Sequence, residues 1–274
     1  MENLSKLAYE LRKDALDIIM AGKGGHIGGD MSVMEILTVL YFQVMNVNLT
    51  NIKDSDHDRF ILSKGHAMEA YYAVLAKKGF LDLNDIKEKY GKPLSPYIGH
   101  PNNKLLGIEM NSGSLGHGLP VGVGLALAGK MDKKSYRVYV VMGDGEMAEG
   151  SIWEALMAGN QYSLNNLCAV IDENKLQISG PTSQVMGKAD LASRIRGFGW
   201  NVIKVEDGND VNQLISAFKL AEDYKAGPTC LVCETIKGKG SNVMENKASW
   251  HHHLPSEEEY SRIAGDFAIK EREL

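Results

Sequence analysis

The sequence predicts an α/β protein, a doubly wound and mostly parallel sheet with helices on both faces. Three observations carry that prediction. Strand-length apolar runs alternate with helix-length amphipathic segments along most of the chain. The runs are continuous rather than alternating, as expected of strands covered on both sides. The length, 274 residues with 44% hydrophobic and 24% charged, suits one large domain or two small ones and can bury a real core.

The elements follow in order. Leu4 to Met20 carries Leu4, Leu7, Ala8, Leu11, Ala15 and Ile18 at helical spacing, and Gly22, Gly24 and Gly25 end it. His26-Ile27-Gly28-Gly29-Asp30 reads as a glycine-bracketed turn, with Asp30 or Ser32 capping a helix from Val33 to Met45. Arg59 to Ser63 is a short strand running into Lys64-Gly65-His66, and a helix spans Ala67 to Lys78. Gly91 to Gly118, rich in Gly, Pro, Asn and Ser, reads as an ordered loop, and loops of that length usually serve function. Leu119 to Ala128, with Gly118, Gly122 and Gly124, predicts a buried, closely packed helix. Strands at Arg137 to Met142, Asn166 to Ile171, Trp200 to Val205 and Thr229 to Thr235 are separated by helices at Gly150 to Tyr162, Ala189 to Arg196 and Val211 to Tyr224. Glu257 to Leu274 reads as a solvated, charged terminal helix. No repeat or linker divides the chain, so residues 1–274 are expected to form one domain with 257–274 as its charged end.

Charge and cysteine content narrow the function. Thirty Lys+Arg against 35 Asp+Glu give a net charge of −5 without a basic cluster, which argues against nucleic acid and anionic membrane as partners. No apolar run approaches the roughly 20 residues of a bilayer span, and Met1 to Tyr9 has no leader character. Three cysteines are too few for a disulfide framework, and the expected location is cytoplasmic. Cys230 and Cys233 lie within one strand, on opposite faces, and read as buried structural residues. Gly122 and Gly124 begin no dinucleotide-binding fingerprint, which disfavours a nicotinamide dehydrogenase.

In an open parallel sheet ligands bind beyond the carboxyl ends of the strands. Gly143-Asp144-Gly145 follows a buried strand, with glycines that let the backbone approach a phosphate. Alone, this tripeptide is also what an ordinary turn looks like. Thirty residues on, the next strand empties into Asp172-Glu173-Asn174-Lys175. Asp144 and Asn174 would then meet at adjacent strand ends, a carboxylate and an amide oxygen suited to Mg²⁺ or Ca²⁺ with room left for diphosphate oxygens.

This pair resembles the metal and diphosphate motif of thiamine-diphosphate enzymes. Asp58 to His66, Gly99-His100-Pro101, Gly113-Ser114-Leu115-Gly116, Glu146 to Gly150 and Thr235 to Gly240 narrow the resemblance to the transketolase family, over essentially the whole chain. The resemblance implies that Asp144, Asn174 and the Leu176 carbonyl hold the metal, and that Gly145 and Asn174 contact the diphosphate of thiamine diphosphate. It implies further cofactor contacts at Gly113, Leu115, Lys64, His66 and Lys237. His26, His66, His100 and His251 match the family's active-site histidines, and each lies beside a glycine, proline or loop. By the same resemblance the cofactor supplies the carbanion chemistry, while the imidazoles move protons and bind sugar oxygens. His26 and His251 are expected to act at the donor carbonyl and hydroxyls, and His100 on the sugar hydroxyls.

Two departures stand out. Trp250-His251-His252-His253 replaces Trp-His-Gly-Lys, which predicts an altered substrate pocket, and Ile27 stands where a proline is usual. The chain also reaches only Leu274, whereas a complete transketolase continues into a pyrimidine-binding domain. The resemblance therefore implies the amino-terminal subunit of a split transketolase. Its expected partner is a carboxy-terminal subunit carrying the pyrimidine-binding domain, in an α2β2 heterotetramer acting on sugar phosphates. The alternatives are another thiamine-diphosphate enzyme subunit, of the 1-deoxyxylulose-phosphate synthase or 2-oxo acid dehydrogenase kind, and a non-catalytic interaction subunit.

Overall fold

The computed structural model describes residues 3–186 and 190–274. Helix α1 (Leu4–Gly22) is capped by the Asn3 side chain and ends with Lys23 in the left-handed region. Helix α2 (Ile27–Val39) continues into a π-helical turn at Leu40–Val44. Strand β1 (Arg59–Leu62), α3 (Met68–Lys77), α4 (Leu83–Lys89) and α5 (Gly118–Met131) follow. Then come β2 (Val138–Gly143), α6 (Gly150–Gln161), β3 (Leu167–Glu173), a short hairpin of β4 (Leu176–Gln177) and β5 (Gly180–Pro181), and α7 (Thr182–Val185). The chain closes with α8 (Leu191–Gly197), β6 (Asn201–Val205), α9 (Val211–Asp223), β7 (Thr229–Glu234) and α10 (Glu257–Glu273). Ala189, the expected start of the helix before β6, lies outside the described residues.

The main sheet runs β1-β2-β3-β7-β6, and every neighbouring pair is parallel. The core divides on its two faces. Leu16, Met34, Tyr72 and Phe218 pack with Val141, Leu231 and Cys233 on one side, whereas Leu119, Ile152 and Ile195 pack with Val140, Ala169 and Cys230 on the other. Cys230 and Cys233 thus lie on opposite faces, as the period of two requires. All three cysteines are free and buried.

Five expectations need correction. The glycines of His26 to Asp30 do not form a turn before the helix, because α2 already begins at Ile27. A Cβ on Gly28 would stand 2.6 Å from the Trp250 carbonyl oxygen, so this glycine permits close packing rather than a reversal. Asp30 caps α3 instead of α2, its Oδ1 accepting from the Ala70 N–H at 2.9 Å. Helix α5 is buried on one side only: Gly122 lies against Val140, while Val121 and Met131 are exposed. The terminal helix α10 is not merely solvated, since Ile263 and Phe267 are buried and Phe267 packs on Tyr9 of α1. Finally, the 18 residues Ile27–Val44 are apolar and long enough, by length and composition alone, to cross a membrane. With 83% of that stretch buried within the chain, it is the central helix of the core.

Candidate functional site

A cleft of about 330 Å³ opens at the carboxyl ends of β1, β2, β3 and β7. Strand register sets its floor. Gly143 pairs with Asp172, so the chain leaves β2 and β3 at neighbouring points and Asp144 and Asn174 emerge side by side. Asp144 Oδ1 accepts from the Gly145 N–H at 2.9 Å and its Oδ2 from the Lys175 N–H at 2.7 Å. Lys175 adopts φ +64°, in the left-handed region, where a non-glycine residue is uncommon. Asn174 is buried, its Oδ1 accepting from the Leu176 N–H at 3.1 Å, and Asn174, Leu176, Asp144 and Gly145 all line the cleft.

Two buried ammonium groups stand over this floor. Lys64, following β1, donates to the Gly29 carbonyl at 3.0 Å and forms a salt bridge with Asp172. Asp172 is completely buried and also accepts from Ser32 at 2.6 Å and from Thr235. Burial pushes its carboxyl up, but the Lys64 charge and the hydrogen bonds from Lys64, Ser32 and Thr235 outweigh that and bring it below the usual carboxylate range. Lys237, following β7, donates to the Leu176 carbonyl at 3.4 Å and lies 3.0 Å from His251 Nδ1. Among the described residues no carboxylate forms a salt bridge with it. Burial, reinforced by Lys64, lowers its pKa to about 8. A buried cation without a paired carboxylate favours an anionic occupant.

The histidines form one cluster centred on His26. Its ring centroid lies 5.4 Å from His66, 5.9 Å from His100 and 5.6 Å from His251. His100 rests on Gly113, where φ is +136° and a Cβ would come within 2.7 Å of the imidazole, so this position needs glycine. Leu115 lines the cleft beside it. Burial lowers the pKa of every member of the cluster. His26 falls to about 4, helped by His252, and His251 to about 3, helped by Lys237; His66 and His100 also titrate below the ordinary range. These rings are neutral near pH 7 and can both donate and accept hydrogen bonds.

The structure thus brings the expected metal-ligand, cofactor-contact and active-site histidine positions together around one cleft. It adds two carboxylates that the sequence left without a role. Asp172 anchors Lys64, and Glu146 ties three segments together by accepting from Ser63, the Gly116 N–H at 2.8 Å and the Gly143 N–H at 3.2 Å. Both lie within a few residues of Asp144 or Asn174, which was the available signal. His253 departs from expectation: it faces Trp250, at 4.2 Å between rings, rather than the cleft.

The donor set fits a divalent cation bound together with phosphate. One carboxylate, one amide oxygen and one backbone carbonyl are hard oxygen ligands, and burial with the nearby Asp172 raises the Asp144 pKa to about 6, a cost that a cation would offset. Among the described residues no three His, Cys, Asp or Glu side chains are placed to hold an ion by themselves. Such a cation would therefore draw its remaining ligands from a bound diphosphate.

Fold and site define the class of α/β proteins whose ligand cleft opens at the carboxyl ends of a parallel sheet, here with donors suited to a phosphorylated ligand. The chain belongs to the transketolase family: residues 4–270 match the family described as "Transketolase, thiamine diphosphate binding domain". It is 46% identical, over 100% of its length and 97% of the relative, to one of the subunits of the apulose-4-phosphate transketolase of Phocaeicola vulgatus. It is 37% identical to the 6-deoxy-6-sulfo-D-fructose transketolase subunit SqwG of a Clostridium species, over 93% of each chain. Among solved structures, transketolase from Leishmania mexicana superposes with a TM-score of 0.90 at 29% identity, covering 98% of this chain. This chain spans only 42% of that larger protein.

Proposed function

We propose that this chain is the thiamine-diphosphate-binding subunit of a two-chain transketolase, transferring a two-carbon ketol unit from a ketose phosphate to an aldose phosphate. The observation that carries the reading is the meeting of Asp144 with the Asn174–Leu176 segment beneath the Lys237 ammonium. In this reading Asp144, Asn174 and the Leu176 carbonyl hold Mg²⁺, and Gly145, Asn174, Lys64 and Lys237 receive the diphosphate. Gly113 and Leu115 bound the cofactor ring, with His66 beside it. When bound, thiamine diphosphate supplies the carbanion chemistry. The chain's own contribution is to orient the sugar and to move protons at its oxygens through His26, His100 and His251.

Residues 1–274 form a single domain in this proposal, and a second subunit carries the pyrimidine-binding half in an α2β2 assembly. Relatives that this chain matches over nearly their whole length are named as single subunits of transketolases, which supports the two-chain arrangement. Identity to a relative named for apulose-4-phosphate makes a branched-chain sugar phosphate the first donor to try. Free buried cysteines suit a cytoplasmic location.

The test is reconstitution with the candidate partner, Mg²⁺ and thiamine diphosphate. Ketol transfer by the pair and none by either chain alone is the expected result. Turnover by this chain without a partner, or cofactor binding by the pair that ignores chelation of the metal, would refute the proposal.

A further inference from the structure

Trp250-His251-His252-His253 presents three imidazoles in a row, and the fold sends them in three directions. His251 meets Lys237. His253 lies on the Trp250 ring and approaches Glu259 Oε2 at 3.3 Å, at the start of α10. His252 stands against His26, with ring centroids 4.8 Å apart and planes at 78°.

This placement is set by the backbone. Trp250 is buried, and its carbonyl fills the space that a Cβ on Gly28 would take, so the loop is seated on the first turn of α2. His252 itself is exposed and lies outside the enclosed floor of the cleft. Among the described residues no hydrogen bond engages its ring nitrogens, and no carboxylate pairs with the rings of His26, His100 or His252. The His252 ring nitrogens are thus left, among the described residues, to solvent or to a ligand that reaches His26. A neutral imidazole offers one N–H donor and one lone pair, which matches a hydroxyl group that likewise gives and takes one hydrogen bond.

We propose that His252 is a substrate-binding residue that holds a hydroxyl of the sugar at the mouth of the cleft and thereby sets which sugars are accepted. The proposal rests on the transketolase reading above. It places His252 on a hydroxyl of the sugar next to His26, above the floor that the lysines and metal-ligand candidates occupy.

The experiment compares His252→Ala and His252→Asn with the wild type in the reconstituted two-subunit enzyme. Apulose 4-phosphate, xylulose 5-phosphate and fructose 6-phosphate serve as donors. His252→Ala is expected to raise KM about tenfold for the preferred donor, equivalent to about 1.4 kcal/mol, and to change the ranking of donors. Thiamine diphosphate affinity should stay within about twofold, and His252→Asn should recover part of the loss because an amide also donates and accepts. His253→Ala is the control, lowering resistance to urea without altering the ranking. Unchanged KM values in His252→Ala, or a fall in cofactor affinity that parallels KM, overturns the proposal while leaving the transketolase reading intact. Absence of ketol transfer from all three donors by the wild-type pair overturns both.

Discussion

Asp144 accepts a hydrogen bond from the Lys175 N–H at 2.7 Å, so the acid that follows β2 is fastened to the backbone one residue beyond Asn174, which follows β3. That single bond aligns the proposed metal ligands. Asp144→Ala is expected to weaken Mg²⁺-dependent binding of thiamine diphosphate on the order of 100-fold, the ~3 kcal/mol that a charged contact supplies at its upper end. Calorimetric titration of the two-chain complex measures it, and unaltered affinity would remove Asp144 from the site.

The Lys64–Asp172 pair is buried at both ends. Removing one partner strands the other, so Asp172→Asn or Lys64→Met is expected to cost about 3–5 kcal/mol in urea unfolding. The double variant should lose less than the sum. Because the folded pKa of Asp172 lies below its unfolded value, its contribution is complete above about pH 4 and disappears only as acid carries the pH through the lower folded value. Strict additivity of the two single losses would contradict this coupling.

His26 and His251 also lose their contribution on acidification, but in a higher pH window than Asp172. Their folded pKa values are about 4 and about 3, whereas unfolded imidazoles take up a proton near pH 6.5. Between these limits the unfolded chain binds more protons, so stability falls as the pH drops from about 6.5 toward 4. Urea midpoints recorded across that window should flatten in His26→Asn. An identical slope in wild type and variant would assign the effect to other groups.

Gly28→Ala places a Cβ 2.6 Å from the Trp250 oxygen and 3.1 Å from Lys237 Cε. The loop must yield, with an expected stability loss of about 1–3 kcal/mol and a larger fractional loss of turnover than Gly24→Ala, where a Cβ meets nothing within 4 Å. Equal behaviour of the two variants would show that the contact carries no constraint.

Glu69 and Asp30 form a fully buried acid pair, with Tyr90 donating to Glu69. Burial raises both carboxyls, Asp30 well above its usual range, with the charge of Glu69 adding to the rise at Asp30, where α2 packs on α3. Glu69→Ala should cost about 1–3 kcal/mol by orphaning the Tyr90 hydroxyl and the Asp30 carboxyl, whereas Glu69→Gln keeps the Tyr90 bond and should lose less. A reversed order, read from thermal unfolding, would mean that the pair is not hydrogen-bonded through Glu69.

The strands and the Asp144–Asn174 pair were legible because continuous β-branched runs mark doubly covered strands and because the residues that leave them stand at fixed places. What escaped reading depends on contacts far apart in sequence. Asp172 pairs with Lys64 across 108 positions, and nothing local distinguishes it from Glu173 beside it. The Gly28-Gly29 pair reads as a turn until Trp250 is seen pressing on it. Helix α4 buries only Ile86, and β4 and β5 have two residues each, too few to show a period. His252 and His253 are the same residue type side by side, and only the seating of Trp250 separates their fates.

Glu259 closes the capping box of α10 through Ser256 and, with the same Oε2, steadies His253 against Trp250. One carboxylate therefore touches both the first turn of the last helix and the residue that follows His251 and His252. Losing Glu259 would therefore fray the start of α10 and release His253 together, two effects of one side chain.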